Sequence, residues 1–136
     1  MFAYCKSLIS LDFSNLYTPN LIKLGFIFGG CKSLKFVNFI NFNTQNVNDL
    51  GYMFYKCKSI NSIDLSSFNT QKVKDMSFMF SYCPNLRYID ISNFIITKDT
   101  LLIDMFIDAR YCKVKINNQI SNYLNNNNFK NINFIK

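Results

Sequence analysis

Cysteines at positions 5, 31, 57 and 83 fall on a strict 26-residue period, and the residues around them recur with it. The units open Cys5-Lys6-Ser7-Leu8, Cys31-Lys32-Ser33-Leu34, Cys57-Lys58-Ser59-Ile60 and Cys83-Pro84-Asn85-Leu86, and they close on Phe28, Met53-Phe54, Met79-Phe80 and Met105-Phe106. A fixed period of roughly 20–50 residues marks an architecture whose units bury their apolar side only by stacking on their neighbours. Such a chain presents an extended surface more readily than a closed catalytic pocket. The period does not identify a partner.

Within the third unit, Ile60, Ile63 and Leu65 follow an L-x-x-L-x-L spacing, and Ser62 to Ser66 alternates polar with apolar. That alternation predicts a strand with one buried face. Asn69-Thr70 then supplies turn chemistry and a helix N-cap, and Val73, Met76, Phe80 and Cys83 fall on one face of a helix. The second unit repeats this with Leu34, Val37 and Phe39, then Thr44, then Val47, Leu50, Phe54 and Cys57. The first gives Leu8, Leu11 and Phe13, then Thr18-Pro19, then Leu21, Leu24, Phe28 and Cys31. Each unit therefore reads as strand, turn and short helix. Stacking places Leu11, Val37, Ile63 and Ile89 inside one parallel sheet, with strands about 4.8 Å apart and right-handed crossovers. Leu16, Phe42, Phe68 and Phe94 share one repeat position and are expected to form an aromatic ladder through the core.

The pattern L-x-x-L-D-L-S-x-F-N-T-x-x-V-x-D-M-x-x-M-F-x-x-C, fullest in Cys57–Phe80, resembles the BspA-like leucine-rich repeat, also called the mycoplasma lipoprotein repeat. The resemblance covers roughly residues 1–106. It implies an α/β fold: a short right-handed leucine-rich-repeat solenoid, parallel sheet on one face and short helices on the other. It also implies a secreted or cell-surface protein engaged in adhesion and protein–protein contact, with a host or cell-surface protein as partner.

The fourth unit decays, with Asp99 where the helix Val stands and three extra residues before Cys112. Cys112, Val114 and Ile116 then predict a closing strand, Ile120, Tyr123 and Leu124 a short helix, Asn125–Asn128 a low-complexity loop, and Phe129–Ile135 a last apolar segment. The expected domains are a solenoid over 1–116 and an Asn-rich C-terminal cap or tail over 117–136.

Composition narrows the functional classes. Apolar residues make up 49% of the 136, with 15 Phe and 8 Tyr, so most of the chain has core material. All eight acids are Asp, there are 20 Asn, and the formal charge is +7. An Asn, Lys, Ile, Phe and Tyr profile is that of an AT-rich genome, and this bias accounts for much of the charge. Basic residues are dispersed apart from a Lys6/Lys32/Lys58 column, which makes nucleic acid an unfavoured partner. An electrostatic binder of nucleic acid or a membrane surface stays as the alternative, predicting that those lysines converge with Lys113 and Lys115. No apolar run reaches transmembrane length, and the start lacks a signal-peptide pattern. Met1–Cys5 matches Met79–Cys83, so a second alternative is a fragment of a longer repeat protein. Five cysteines without histidine or Cys-x-x-Cys spacing argue against metal and disulfides and for a column of small buried hydrophobes. No Asn-x-Ser/Thr sequon occurs.

Without His, Glu, Trp or a Gly-rich phosphate loop, the usual catalytic inventory is missing and no cofactor is expected. The concentrated polar feature is the outward strand face: Ser10, Asp12, Phe36, Asn38, Ile40, Ser62, Asp64, Tyr88 and Asp90. Asp12, Asn38, Asp64 and Asp90 form a column that could work as paired general acid and base, hold a cation such as calcium, or be a locally hydrogen-bonded repeat feature. The last is favoured. The face is therefore read as the ligand face of a non-enzymatic binding module, with Phe36, Ile40 and Tyr88 as apolar anchors.

Overall fold

A computed structural model describes residues 1–125, 129 and 132–136. Its elements run β1 (Ser10–Asp12), β2 (Phe36–Asn38), β3 (Ser62–Ile63), β4 (Tyr88–Asp90), β5 (Lys113–Lys115), α1 (Asn118–Asn125) and β6 (Asn133–Ile135). The fold is α/β, with parallel strands and a single short helix among the described residues. Residues 26 apart face one another at Ser10↔Phe36, Leu11↔Val37 and Ile63↔Ile89. The next step, Ile89↔Val114, spans 25 residues, and Val114↔Phe134 spans 20. Strand pairing breaks between β2 and β3, so there are two sheets, β1-β2 and β3-β4-β5-β6, rather than the one expected. The inward column is as the alternation requires: Val37, Ile63, Ile89 and Val114 are buried, and Leu11, on the edge strand, is partly so.

The second half of each unit is not a helix. Residues 50–57 form successive turns, in which the N–H groups of Met53, Tyr55 and Cys57 donate to the carbonyls three residues back. The intervening amides leave the unit altogether. Those of Leu50, Tyr52, Phe54 and Lys56 donate to the carbonyls of Asp75, Ser77, Met79 and Ser81, at 2.8–2.9 Å. Units on either side repeat the arrangement, joined by the parallel bridges Lys23↔Asp49, Asp49↔Asp75 and Asp75↔Leu101. This turn limb carries the inter-unit hydrogen bonds across the gap between β2 and β3. Its turns need left-handed backbone at their third residue, found at Phe26, Tyr52 and Phe78 (φ 57–59°) and again at Lys56 and Tyr82 (φ 59°).

Three further expectations change with the backbone path. Thr44 and Thr70 are buried and cap no helix. The Thr44 hydroxyl accepts from the Asn69 N–H (2.8 Å) and donates to its carbonyl (3.2 Å), and Thr70 treats Ile95 in the same way. The stacked aromatic ladder runs through Phe2, Phe28, Phe54, Phe80 and Phe106, with centroids 5.4–6.0 Å apart and planes within 19° of parallel. At the expected ladder position Leu16 is exposed, whereas Phe42, Phe68 and Phe94 are buried in the core as expected, with the Phe42 and Phe68 rings 6.4 Å apart and tilted by 40°. Finally, Cys112 is not a displaced member of the cysteine column. Ala109, 26 residues after Cys83 and buried, takes that place and donates its N–H to Phe106 as Cys57 does to Phe54.

The closing strand and short helix fall where expected, as β5 and α1. Within the expected cap, β6 adds a further strand beside β5, and Phe129 and Phe134 meet the Phe106 ring edge-on at 6.1 and 6.4 Å. Asn126–Asn128 of the expected low-complexity loop lie outside the described residues.

Candidate functional site

The nine residues of the expected ligand face form two groups, because the strand ladder breaks between them. Ser10 and Asp12 pair with Phe36 and Asn38 across β1-β2, with Ile40 just beyond. Ser62 pairs with Tyr88 across β3-β4, and Asp90 of β4 lies opposite Lys115 of β5. Asp64 follows the end of β3. In the first group Phe36 is 58% exposed and Ile40 61%; in the second, Tyr88 is 39% exposed.

Each member of the polar column is engaged with its own backbone. Asp12, Asn38, Asp64 and Asp90 each accept, through Oδ1, the N–H two residues on, at 2.8–3.0 Å. Such a side chain mimics a backbone turn, and here one stands at or just past the end of each of β1 to β4. Hydrogen bonds from the Ser14 backbone and hydroxyl hold the Asp12 carboxyl below its ordinary range, burial opposing them weakly. At Asp90, burial pushes the carboxyl up, but bonds from Ser92 and the Lys115 ammonium outweigh it and the net shift is downward. Lys115 Nζ stands 3.0 Å from Asp90 Oδ2, and this partner raises the lysine's own value. Lys115 is therefore paired with Asp90 across β4 and β5. No group of three or more Cys, Asp, Glu or His able to hold a metal occurs among the described residues.

The cysteine column lies inside. Cys31, Cys57 and Cys83 are buried free thiols, and each donates from Sγ to a carbonyl of the preceding unit: Phe2, Phe28 and Phe54, at 3.0–3.2 Å. Burial pushes the Cys83 and Cys112 thiols up to about 12, and those of Cys31 and Cys57 also upward. These are inert core groups rather than nucleophiles.

A second surface escaped the sequence reading. Along the outside of the turn limb run six rings: Tyr4, Phe26, Tyr52, Tyr55, Phe78 and Tyr82. Centroid distances are 5.4 Å for Tyr4–Phe26, 6.2 Å for Phe26–Tyr52, 4.7 Å for Tyr52–Phe78, 5.4 Å for Tyr52–Tyr55 and 5.5 Å for Tyr55–Tyr82. Five of the six sit on left-handed backbone, all but Tyr55. Tyr4 is 62% exposed, Tyr52 and Tyr82 38% each. Lys56 Nζ lies 4.9 Å from the Tyr55 ring centre and 5.8 Å from that of Tyr82, fixing one end. Two glycines make room for the other end: a Cβ on Gly29 would stand 2.4 Å from the Phe26 ring, and one on Gly30 2.5 Å from Tyr4. The signal in the sequence is the column Phe26/Tyr52/Phe78 beside Gly29-Gly30, which on a helix is merely the face opposite the core.

Parallel strands, a ladder of turns and a single short helix among the described residues define an α/β protein. The chain belongs to the family described as Mycoplasma protein of unknown function, DUF285, whose model matches residues 1–133. No curated protein and no solved structure matches it. Among the described residues no helix is long and apolar enough to cross a membrane.

Proposed function

We propose that the chain is a non-enzymatic binding module, a short right-handed solenoid of 26-residue BspA-like repeats that adheres to a partner protein through exposed aromatic side chains. The observation that carries this reading is the continuous ridge from Tyr4 to Tyr82. Connected rings, three of the six exposed, are uncommon on a surface with no partner, and Tyr and Phe bury large areas at small entropic cost. The ridge stands on a hydrogen-bonded limb, so little ordering is left for binding to supply. A non-catalytic role is supported by the aspartates of the strand face, whose Oδ1 atoms are occupied by local amides.

The strand face is the second reading, favoured by Phe36 and Ile40, which are more than half exposed on and beside a strand. A partner captured from cell-surface extracts can be titrated against three variants. Tyr52→Ser/Tyr82→Ser is expected to weaken binding most, by about 10-fold or more for a central aromatic pair. A larger loss in Phe36→Ser/Tyr88→Ser moves the site to the strand face. Loss confined to Lys74→Glu with a steep salt dependence makes the protein an electrostatic binder. Unchanged affinity in all three overturns the proposal.

A further inference from the structure

In three successive steps of the turn limb, four amides of one unit donate to the carbonyls of alternate residues in the next. Leu24, Phe26, Phe28 and Gly30 donate to Asp49, Gly51, Met53 and Tyr55; the next two steps repeat this 26 and 52 residues on. The last unit has the same four donors, the N–H groups of Leu102, Asp104, Phe106 and Asp108. None of them has an acceptor among the described residues. The turns that aim them are intact. Met105, Ile107 and Ala109 donate to the carbonyls three residues back at 3.1–3.3 Å, and Asp104 and Asp108 keep the left-handed backbone of the earlier units (φ 51° and 59°).

The four donor residues line a cavity of about 1110 Å³, which Tyr82, Tyr123, Phe129 and Ile132 also line. Leu101, Ile103 and Ile107 line it too and are exposed. Unpaired amides beside exposed apolar side chains are the two halves of a strand-addition site, in which main-chain bonds supply affinity and side-chain pockets supply selectivity.

We propose that Leu102–Asp108 is a docking edge for a peptide, which lies along it in the conformation of one more unit of the turn limb. Its carbonyls at four alternate residues accept from Leu102, Asp104, Phe106 and Asp108. The chain itself specifies this chemistry, having made the same contact three times with main-chain carbonyls two residues apart. A small anion cannot span four such donors. In each internal copy the third acceptor belongs to a buried methionine, Met53, Met79 or Met105, so the peptide is expected to carry a large apolar residue there. This edge adjoins the aromatic ridge at Tyr82, which lines the same cavity, but its donors are main-chain amides and do not depend on the ridge rings.

The test is residue-resolved amide exchange on the full chain, free and with a synthetic peptide of the sequence Asp49–Lys56. In the free chain the four edge amides should exchange much faster than their counterparts at Leu50, Tyr52, Phe54 and Lys56. Peptide at ten times its dissociation constant should slow them about tenfold. Ile103→Arg or Ile107→Arg, both at exposed positions, should abolish that slowing and leave the exchange of Leu50 and Phe54 unchanged. Edge amides already as slow as the internal ones overturn the proposal, as does peptide binding that leaves their exchange unaltered. Protection that appears without peptide and grows with protein concentration gives the edge to a second copy of the chain and overturns it equally.

Discussion

Replacing Phe54 by Ala removes the middle ring of the Phe2-Phe28-Phe54-Phe80-Phe106 stack. Phe54 is fully buried, with ring neighbours at 5.5 Å (Phe28) and 6.0 Å (Phe80), both near parallel. Burying an aromatic ring removes about 150–250 Å² from water, worth about 4–6 kcal/mol at about 25 cal/mol/Å². Measured Phe→Ala losses in cores run about 3–5 kcal/mol, so about 4 kcal/mol is expected. An unfolding entropy of about 2.1 cal/mol/K per residue over 136 residues comes to about 0.29 kcal/mol/K. The midpoint should therefore fall by about 14 °C. Calorimetry provides the assay, with Tyr52→Ala as the control. Tyr52 is two residues away on the outer ridge and is partly solvated already, so its loss should stay near 1 kcal/mol. If Phe54→Ala shifts the midpoint by less than about 5 °C, or no more than Tyr52→Ala does, the stack is not the core of the molecule.

Gly30→Ala should cost about 1–2 kcal/mol through strain at its left-handed φ of 76° and contact with the Tyr4 ring. Because Lys56 and Tyr82 hold the equivalent left-handed place with side chains, much of that cost should vanish in a Tyr4→Ala background, which a double-mutant cycle measured by urea unfolding would reveal. The buried thiols bear on alkaline stability. Their folded values are raised, so the unfolded chain releases those protons first; the stability they contribute is intact below pH 9 and lost as pH rises toward about 12. Urea midpoints at pH 8 and pH 10.5 should accordingly fall further for the wild type than for Cys83→Ala; equal falls would refute the burial of that thiol.

The strands, their inward column and the closing β5 and α1 were legible because a period-2 alternation has few physical solutions. Val37 and Ile63 must face one way if Phe36 and Ser62 face the other. The cysteine column was legible for a similar reason: small apolar residues at a fixed repeat position stack only on one another. What misled was spacing. Leu50, Phe54 and Cys57 sit three and four residues apart because they begin and end successive turns, Leu50–Met53 and Phe54–Cys57. A chain of turns with a period of three to four residues leaves the same apolar trace in the sequence as an amphipathic helix.

Backbone accounting decides between the two conformations. A helix over residues 50–57 would be eight residues long, below the length at which an isolated helix holds together, and Gly51 would weaken it further. It would also leave its first four amides without internal partners. The turns keep only every second amide for themselves and send the others to the next unit, so that each step between units gains four main-chain hydrogen bonds beyond its side-chain packing. Stacking is then cooperative in the backbone, which explains how strands of two or three residues suffice and how the ladder survives the break between β2 and β3. The same accounting has a consequence at the ends. Three successive units each hand four donors forward, and the four of the last unit meet no acceptor among the described residues. The open amides of Leu102, Asp104, Phe106 and Asp108 follow from the rule that holds the other units together.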